Sequence, residues 1–192
     1  MSQWRPGLSA VLAFTGHAVF AVDDRVSDVT LTALGADGFG GATDPRLVTA
    51  LAGPHGWIDS LDLVLIASGS AGRTQLVPRP DLSTHARAQF ASDVRDDVEV
   101  WAAAPGTGKD GAVVTLSRGM GGLPEISIEL PAELQGRGVG RALIAEARRA
   151  VPLGTALVAA VAPGNAASVR AFLAAGFRPV GSVQLFCSGG QS

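Results

Sequence analysis

The residues with the most evident chemistry in this chain form a glycine-rich turn at positions 135–141, with the sequence QGRGVGR. Glycine allows a tight turn and lets a ligand approach the backbone closely. The first N–H groups of a helix have no partner within the helix, and a phosphate binds readily to them. Arg137 and Arg141 add positive charge to the same turn. The turn therefore predicts a phosphate site, although a purely structural strand-to-helix connection would use the same glycines.

Two well-known phosphate loops do not fit the chain. The dinucleotide-binding pattern G-x-G-x-x-G would need a glycine where Arg141 stands. A second glycine-rich stretch, residues 105–110, imitates a P-loop, but Ala103 occupies the place of its first glycine. Asp110 stands where a P-loop has the serine or threonine that holds magnesium. The sequence therefore argues against both of these nucleotide sites.

The glycine-rich turn lies between a predicted strand and a predicted helix. Apolar and polar side chains alternate along Glu125–Leu130, which is the pattern of a strand with two unlike faces. From Val139 onward the apolar residues recur every three or four positions, so that Leu143 and Ala147 share one helical face with it. The helix would thus begin at the turn and present its N-terminus to a ligand.

A second segment, Asn165–Phe177, predicts another helix. Asn165 can cap its N-terminus, and Gly176 can end it in the left-handed conformation. Its apolar face would comprise Val169, Phe172 and Leu173. A fully apolar strand, Ala156–Val161, lies between the two predicted helices.

Together, the turn and the second segment resemble the two signatures of the GNAT N-acetyltransferase superfamily. The turn fits the family's Q-x-x-G-x-G pattern, and residues 165–177 resemble N-x-x-[AS]-x-x-x-Y-x-x-x-G-F. From Ser83 onward the predicted order is helix, three strands, helix, strand, helix and strand, which is the family's order. The resemblance implies an α/β GNAT fold: a mixed central β-sheet flanked by helices, with splayed parallel strands forming the acyl-CoA cleft.

The expected organisation is a single GNAT-like acyltransferase domain over residues 1–192. Residues 83–187 would form the core that resembles the family, and residues 1–80 an N-terminal elaboration. Its predicted elements are strands at Ala10–Phe14, His17–Val22 and Leu61–Ala67, and helices at Arg25–Leu34 and after Asp44. Residues 69–81, rich in glycine and proline, predict a connector. Whether the elaboration only covers sheet surface or also shapes the acceptor pocket stays open.

By the same resemblance the co-substrate is acetyl-CoA, and no metal is involved. The backbone N–H groups of the turn would hold its pyrophosphate, with complementary charge from the helix N-terminus and the two arginines. The residues implied in cofactor binding are Leu130, Gln135, Gly136, Arg137, Gly138, Val139, Gly140, Arg141, Asn165, Ser168 and Phe172.

Glu129 is the candidate catalytic residue. The alternation of the strand places it on the same face as Ser127, where it could take a proton from an acceptor amine directly or through water. A carboxylate in a surface or interstrand ion pair explains this position equally well. Glu125 and Asp62 are weaker candidates for the base.

Two positions depart from the family's pattern. Pro131 precedes Gln135 by four residues where many relatives have three, so the loop is expected to bulge. The family's frequent tyrosine, which protonates the departing CoA thiolate, aligns with Phe172, and the chain contains no tyrosine. The Phe172 ring is expected to face the CoA sulfur. Ser168 matches the family's small residue and is expected to contact the cofactor rather than act as the acid.

The leading hypothesis is an acetyl-CoA-dependent N-acetyltransferase that transfers an acetyl group to an amine of a small molecule or peptide, by direct attack in a ternary complex. The alternative is a non-catalytic acyl-CoA-binding GNAT-fold sensor or regulatory module, a hypothesis motivated by Phe172. A protein–protein scaffold that kept only the fold is a third hypothesis, against which the intact turn argues. The acceptor, the acyl-chain preference and the formation of a homodimer stay open.

Composition excludes several other classes of function. Apolar residues make up 47% and charged residues 17%, which is typical of a globular protein. With a net charge of −2 there is no basic field for nucleic acid. The apolar run Leu8–Val22 is too short to span a bilayer and lacks a clean cleavage site, so no membrane partner or secretion is predicted.

The metal-binding and redox residues are few. Cys187 is the only cysteine, which rules out an intrachain disulfide and favours a reducing, cytoplasmic location. The three histidines, His17, His55 and His85, have no cysteine or carboxylate at ligand spacing. They are interpreted as surface or core residues.

Overall fold

An antiparallel hairpin opens the described part of the chain, which in the computed structural model comprises residue 3 and residues 5–189. Strand β1 (Ser9–Phe14) pairs with β2 (His17–Ala21). Gly16 lies in the turn between them with a φ of 82°, a conformation that glycine adopts without steric cost. The two strands predicted in this part of the sequence are confirmed, and they pair as a hairpin.

The hairpin belongs to the first of two compact units, which contains the described residues up to Val64 and those from Val180 onward. The other elements of this unit are α1 (Asp28–Ala33), α2 (Pro45–Ala52), most of β3 (Trp57–Ser68) and most of β9 (Arg178–Cys187). Strand β9 runs antiparallel to β1. Residues from the hairpin, α2 and β9 form its apolar core, which includes Val11, Leu47 and Phe186.

The second unit spans Leu65–Pro179. Its helices are α3 (Ala86–Val94), α4 (Val139–Ala150) and α5 (Ala166–Ala174). Its strands, apart from the ends of β3 and β9, are β4 (Leu76–Pro78), β5 (Asp96–Ala103), β6 (Val113–Arg118), β7 (Pro124–Glu129) and β8 (Ala156–Val161).

The strands of the second unit lie in the order β8-β7-β6-β5-β4. Neighbours from β4 to β7 are antiparallel, whereas β7 and β8 are parallel. Helix α4 buries Leu143 and Ala147 of the apolar face that the sequence predicted, and it also buries Ile144. The predicted α/β class, with a mixed sheet flanked by helices, is confirmed. The prediction of a single domain over residues 1–192 stays a prediction.

Several element bounds differ from those expected. Helix α1 covers Asp28–Ala33 rather than Arg25–Leu34, and β3 begins at Trp57 rather than Leu61. The connector at 69–81 contains strand β4, and the helix expected from Ser83 begins at Ala86, where the His85 ring accepts a hydrogen bond from the backbone N–H of Arg87 at 3.2 Å. The sequence predicts one or two strands over Phe177–Phe186, broken near Gly181, whereas the structure has a single strand, β9, that continues through Gly181. A Cβ at Gly181 would lie 2.3 Å from the carbonyl oxygen of Ala13, so this glycine allows close strand approach rather than ending the strand.

Candidate active site

The parallel strands β7 and β8 diverge toward their carboxyl ends. Within the described residues, the register between them pairs only Glu125 with Val158. The rest of β7, from Ile126 to Glu129, therefore leaves β8 and opens a gap at the carboxyl end of the sheet. Such a gap between parallel strands is a common place for a ligand in α/β proteins.

The glycine-rich turn lies at the end of β7 and leads into α4. A single 3-10 turn, Ala132–Leu134, lies between β7 and Gln135. The side-chain amide of Gln135 then donates to the carbonyl of Leu130 at 3.1 Å and closes the loop. Gly136 and Gly138 have φ values of 70° and 76°, which disfavour a residue with a Cβ.

The N-terminus of α4 is left without a side-chain cap. Its N-cap residue is Gly138, which has no side chain to accept a hydrogen bond from the first N–H groups of the helix. A Cβ placed on Gly140 would lie 3.5 Å from Ile128 and 3.7 Å from Ala171. The first turn of α4 thus lies within van der Waals reach of both β7 and α5.

A cavity of about 470 Å³ occupies this region. Its wall comes from α3, the end of β7, the turn, the start of α4 and one face of α5. Three arginines (Arg87, Arg141 and Arg170) and one carboxylate (Glu129) supply its charge. The remaining lining residues are Ile128, Leu130, Leu134, Gln135, Gly136, Gly138, Val139, Gly140, Asn165, Ala167, Ser168, Ala171 and Ala174.

The cavity brings together all the predicted site residues except Arg137 and Phe172. Arg137 turns away from it and donates to the carbonyl of Glu133 at 3.3 Å. Phe172 is 2% exposed and packs edge-on against Phe177, with 5.0 Å between ring centroids. Its ring therefore belongs to the core of this unit, whereas the sequence predicted a position beside the CoA sulfur. The alanine face of α5 lines the cavity instead.

Glu129 lies at the cavity and also belongs to an ion pair, and its role as a base stays a prediction. Its carboxylate lines the cavity and also accepts a hydrogen bond from Arg87 Nε at 3.3 Å. The side chains of Arg87 and Glu129 are 34% and 44% exposed. Exposed ion pairs are weak, contributing roughly 0–1 kcal/mol. The pair therefore leaves the Glu129 carboxylate accessible to solvent and to a ligand in the cavity.

The other two carboxylates considered as bases lie elsewhere. Glu125 is buried and forms an ion pair with Arg95 at 2.6 Å. Asp62 lies on β3 in the first unit and accepts a hydrogen bond from the hydroxyl of Ser60 at 2.7 Å. Neither lines the cavity, so Glu129 is the carboxylate that the structure leaves facing it.

Sequence reasoning missed two of the cavity's charged residues. Arg170 follows the predicted contact Ser168 by two positions, and the spacing of Ala167, Ala171 and Ala174 marks the face of α5 beside it. That spacing was a usable signal. Arg87 lies 42 residues before its partner Glu129, and no local pattern connects the two.

Two further arginines of α4 are structural rather than merely solvated. Arg148 donates to the carbonyl of Ser68 at 2.9 Å and to that of Ala175 at 2.6 Å. Arg149 forms an ion pair with Glu146. Arg148 thereby ties the carboxyl end of α5 to that of β3 within the second unit.

The described residues contain neither a candidate metal site nor a candidate membrane-spanning helix. No group of three or more histidine, cysteine, aspartate or glutamate side chains in residues 5–189 is arranged to hold a metal ion. None of the helices in that part of the chain has the length and apolar character needed to cross a membrane.

Comparison with known proteins gave structural similarities only. No family model and no curated protein matches the chain. It is similar to an acetyltransferase of the GNAT family from Colwellia psychrerythraea, with 9% identity, 69% of this chain and 57% of that one covered, and a TM-score of 0.45. A GCN5-related N-acetyltransferase from Kribbella flavida shows 16% identity, coverages of 76% and 65%, and a TM-score of 0.45.

A functionally unknown conserved protein from Staphylococcus epidermidis shows 16% identity, coverages of 77% and 68%, and a TM-score of 0.47. The chain spans less than two thirds of the length of the Colwellia and Kribbella proteins. Those two belong by name to the superfamily that the motifs of this chain resemble. The similarity concerns the fold.

Proposed function

We propose that this protein is an acetyl-CoA-dependent N-acetyltransferase acting on an amine of a small molecule or peptide. The observation that supports this best is the uncapped N-terminus of α4, which opens onto a cavity between diverging parallel strands. The cavity is positively charged beside the turn and carries one carboxylate at the end of β7. These are the features that a diphosphate-containing acyl donor and an amine acceptor require.

The turn and two arginines would bind the pyrophosphate. The N–H groups of Val139–Arg141 are the first of α4, and the helix dipole contributes roughly 0.3–1 kcal/mol for an anion there. Arg141 and Arg170 both line the cavity and can add charge-assisted hydrogen bonds. The residues present therefore fit the diphosphate part of acetyl-CoA. The alanine face of α5 and the side chains of Ile128 and Leu130 fit its less polar arm.

Glu129 would act as the general base. Acetyl-CoA supplies the acetyl group as a thioester, and the acceptor nitrogen forms the new amide bond as the carbon–sulfur bond breaks. The carboxylate of Glu129 takes the proton that the nitrogen loses, directly or through one water. Arg87 holds that carboxylate at the wall of the cavity through its Nε.

The departing thiolate would leave without an acid from residue 172. Phe172 has no ionisable proton and is buried in the core. A thiol has a pKa near 8.5, so its thiolate is a tolerable leaving group near neutral pH. Solvent entering the open cavity can supply the proton. We therefore expect catalysis to be slower than in an enzyme with a positioned acid, by at most about 10²-fold.

The burial of Phe172 also favours a second candidate function, an acyl-CoA-binding sensor that has lost catalysis. The cavity and its charge would be the same in a sensor and in an enzyme. Binding does not distinguish the two, because the turn would bind the acyl-CoA in both. Only turnover does, because it requires proton transfer as well.

Acetyl-CoA binding followed by a CoA-release screen over amines tests both candidates. Binding should raise the melting temperature by mass action. Gly138→Val should abolish this shift because the position requires a positive φ, whereas Gly138→Asn, which tolerates that conformation, should retain part of it. Binding with CoA release supports the enzyme, and binding without release supports the sensor. Absence of binding would contradict both.

A further inference from the structure

The pairing of Arg87 with Glu129 bears on the class of acceptor. Both side chains line the cavity, and they carry opposite charges. The other two arginines of the cavity lie on helices next to the turn: Arg141 in the first turn of α4 and Arg170 on α5. Arg87 comes from α3 and meets the end of β7 instead. It is therefore a positive charge placed at the base rather than at the phosphate turn.

The guanidinium of Arg87 has donors to spare. Its Nε donates to Glu129 Oε2, and within residues 5–189 no other hydrogen bond of this guanidinium is found. An arginine side chain has five N–H donors, and the two terminal nitrogens form a fork that fits a carboxylate. About a third of the Arg87 side chain is exposed, so the fork is accessible from the cavity.

We propose, resting on the proposed function above, that the acceptor is an amine that carries a carboxylate one carbon away, as α-amino acids do. Its carboxylate binds the terminal nitrogens of Arg87, and its amine lies at Glu129. The adjacent carboxylate and amine of such an acceptor are opposite in charge to Arg87 and Glu129, which are themselves adjacent. Because the existing ion pair is exposed and weak, the acceptor can share or displace it at little cost.

This binding mode predicts a preference for amino acids over amines that lack the carboxylate. An amine that lacks the carboxylate leaves the fork of Arg87 without its ligand and gains only the contact with Glu129. A hydrogen-bonded contact between charged groups changes affinity by about 10- to 100-fold. We therefore expect kcat/KM for an amino acid to exceed that for its primary amide by about 10-fold or more.

The test compares the twenty common L-amino acids with their primary amides, using CoA release for turnover and saturation-transfer NMR for binding. Arg87→Gln should reduce kcat/KM for the preferred acid by about 10- to 100-fold and leave that for its amide nearly unchanged. Glu129→Gln breaks the same ion pair from the other side. It should slow both compounds but preserve the preference for the acid.

Arg79→Gln is the matched control. Like Arg87, Arg79 forms an ion pair, in this case with Asp81, and its side chain is likewise 34% exposed. Unlike Arg87, it does not line the cavity. This variant should behave as the wild type, and melting curves check that each variant folds. Equal turnover of acids and amides, or a preference that survives in Arg87→Gln, would overturn the inference while leaving the acetyltransferase intact.

If no amine releases CoA, the acetyltransferase proposal fails, and the NMR measurement still decides the acceptor proposal. Amino-acid binding that is present in the wild type and lost in Arg87→Gln supports a carboxylate site at Arg87. Binding that is absent, or indifferent to this substitution, excludes it.

Discussion

Arg95 Nη2 lies 2.6 Å from Glu125 Oε1, and both side chains are more than nine-tenths buried. Arg95 directly follows α3, and Glu125 lies near the start of β7. At the opposite ends of the same two elements, Arg87 pairs with Glu129. Arg87 and Arg95 are eight residues apart along the helix, and Glu125 and Glu129 are four apart along the strand. Both separations span about 12–13 Å. The two pairs therefore match in spacing, with α3 and β7 running in opposite directions. One pair is buried and the other faces the cavity.

Removing one partner of the buried pair should destabilise the protein strongly. Arg95→Met leaves the Glu125 carboxylate buried without its counter-charge, which typically costs about 3–5 kcal/mol. We expect a loss of that size in the free energy of unfolding, measured by urea denaturation.

The double variant Arg95→Met/Glu125→Leu serves as the control. It removes both charges, and replacing a buried pair by apolar residues is often neutral. It should therefore be more stable than Arg95→Met alone. A double variant no more stable than the single one would show that the ion pair is not what holds these residues.

The positive charges near the turn should differ in their effect on acetyl-CoA. Arg141→Gln and Arg170→Gln should each weaken its binding by about 10-fold, since each removes a charge-assisted hydrogen bond. Arg137→Gln is the matched control, because Arg137 lies in the same turn but donates to Glu133 rather than lining the cavity. Calorimetric titration of the three variants gives the comparison. A larger loss in Arg137→Gln than in Arg141→Gln would mean that the turn rearranges when it binds its ligand.

Glu129→Gln tests the base. If Glu129 takes the amine proton, the substitution should lower kcat/KM by about 10²-fold or more, with little change in acetyl-CoA affinity. It should also remove the acidic limb of the pH–rate profile. Full activity in this variant would show that Glu129 is not the base and that its role is limited to the ion pair with Arg87.

Local features of the site could be predicted from the sequence, and long-range ones could not. The caps of the helices are set by neighbouring residues: Asn165 accepts from the N–H of Ser168, and Gly138 takes the left-handed conformation before α4. The contacts of Arg148 join it to residues 80 and 27 positions away, and sequence periodicity contains no information about such contacts. The same holds for Arg87 and Glu129.

The cap of α2 should give stability that depends on pH. Asp44 accepts from the side chain and backbone of Arg46, and these hydrogen bonds lower its pKa from 3.8 to about 2. A carboxylate with a depressed pKa in the folded state stabilises the protein above its unfolded pKa, and this contribution is lost as the pH falls through the folded value. The contribution should therefore disappear between about pH 4 and pH 2.

Two substitutions of Asp44 separate the cap from the charge. Asp44→Ala should lower the melting temperature at pH 7, because both acceptors are removed. Asp44→Asn keeps a capping oxygen and should lose mainly the change between pH 4 and pH 2. Melting curves of the wild type and both variants across this range provide the measurement. An identical pH dependence in wild type and Asp44→Asn would show that other carboxylates dominate it.

Phe172→Tyr distinguishes a core position from a catalytic one. The ring is 2% exposed and packs against Phe177, so the added hydroxyl would be buried in an apolar environment. An unpaired buried hydroxyl costs about 1–3 kcal/mol, which for a protein of this size lowers the melting temperature by roughly 2–4 °C per kcal/mol. We expect this destabilisation together with unchanged kcat, because the cavity wall at α5 is formed by Ala167, Ala171 and Ala174 rather than by residue 172. A variant of unchanged stability whose kcat rises would instead place residue 172 beside the departing thiolate, as the family resemblance alone suggested.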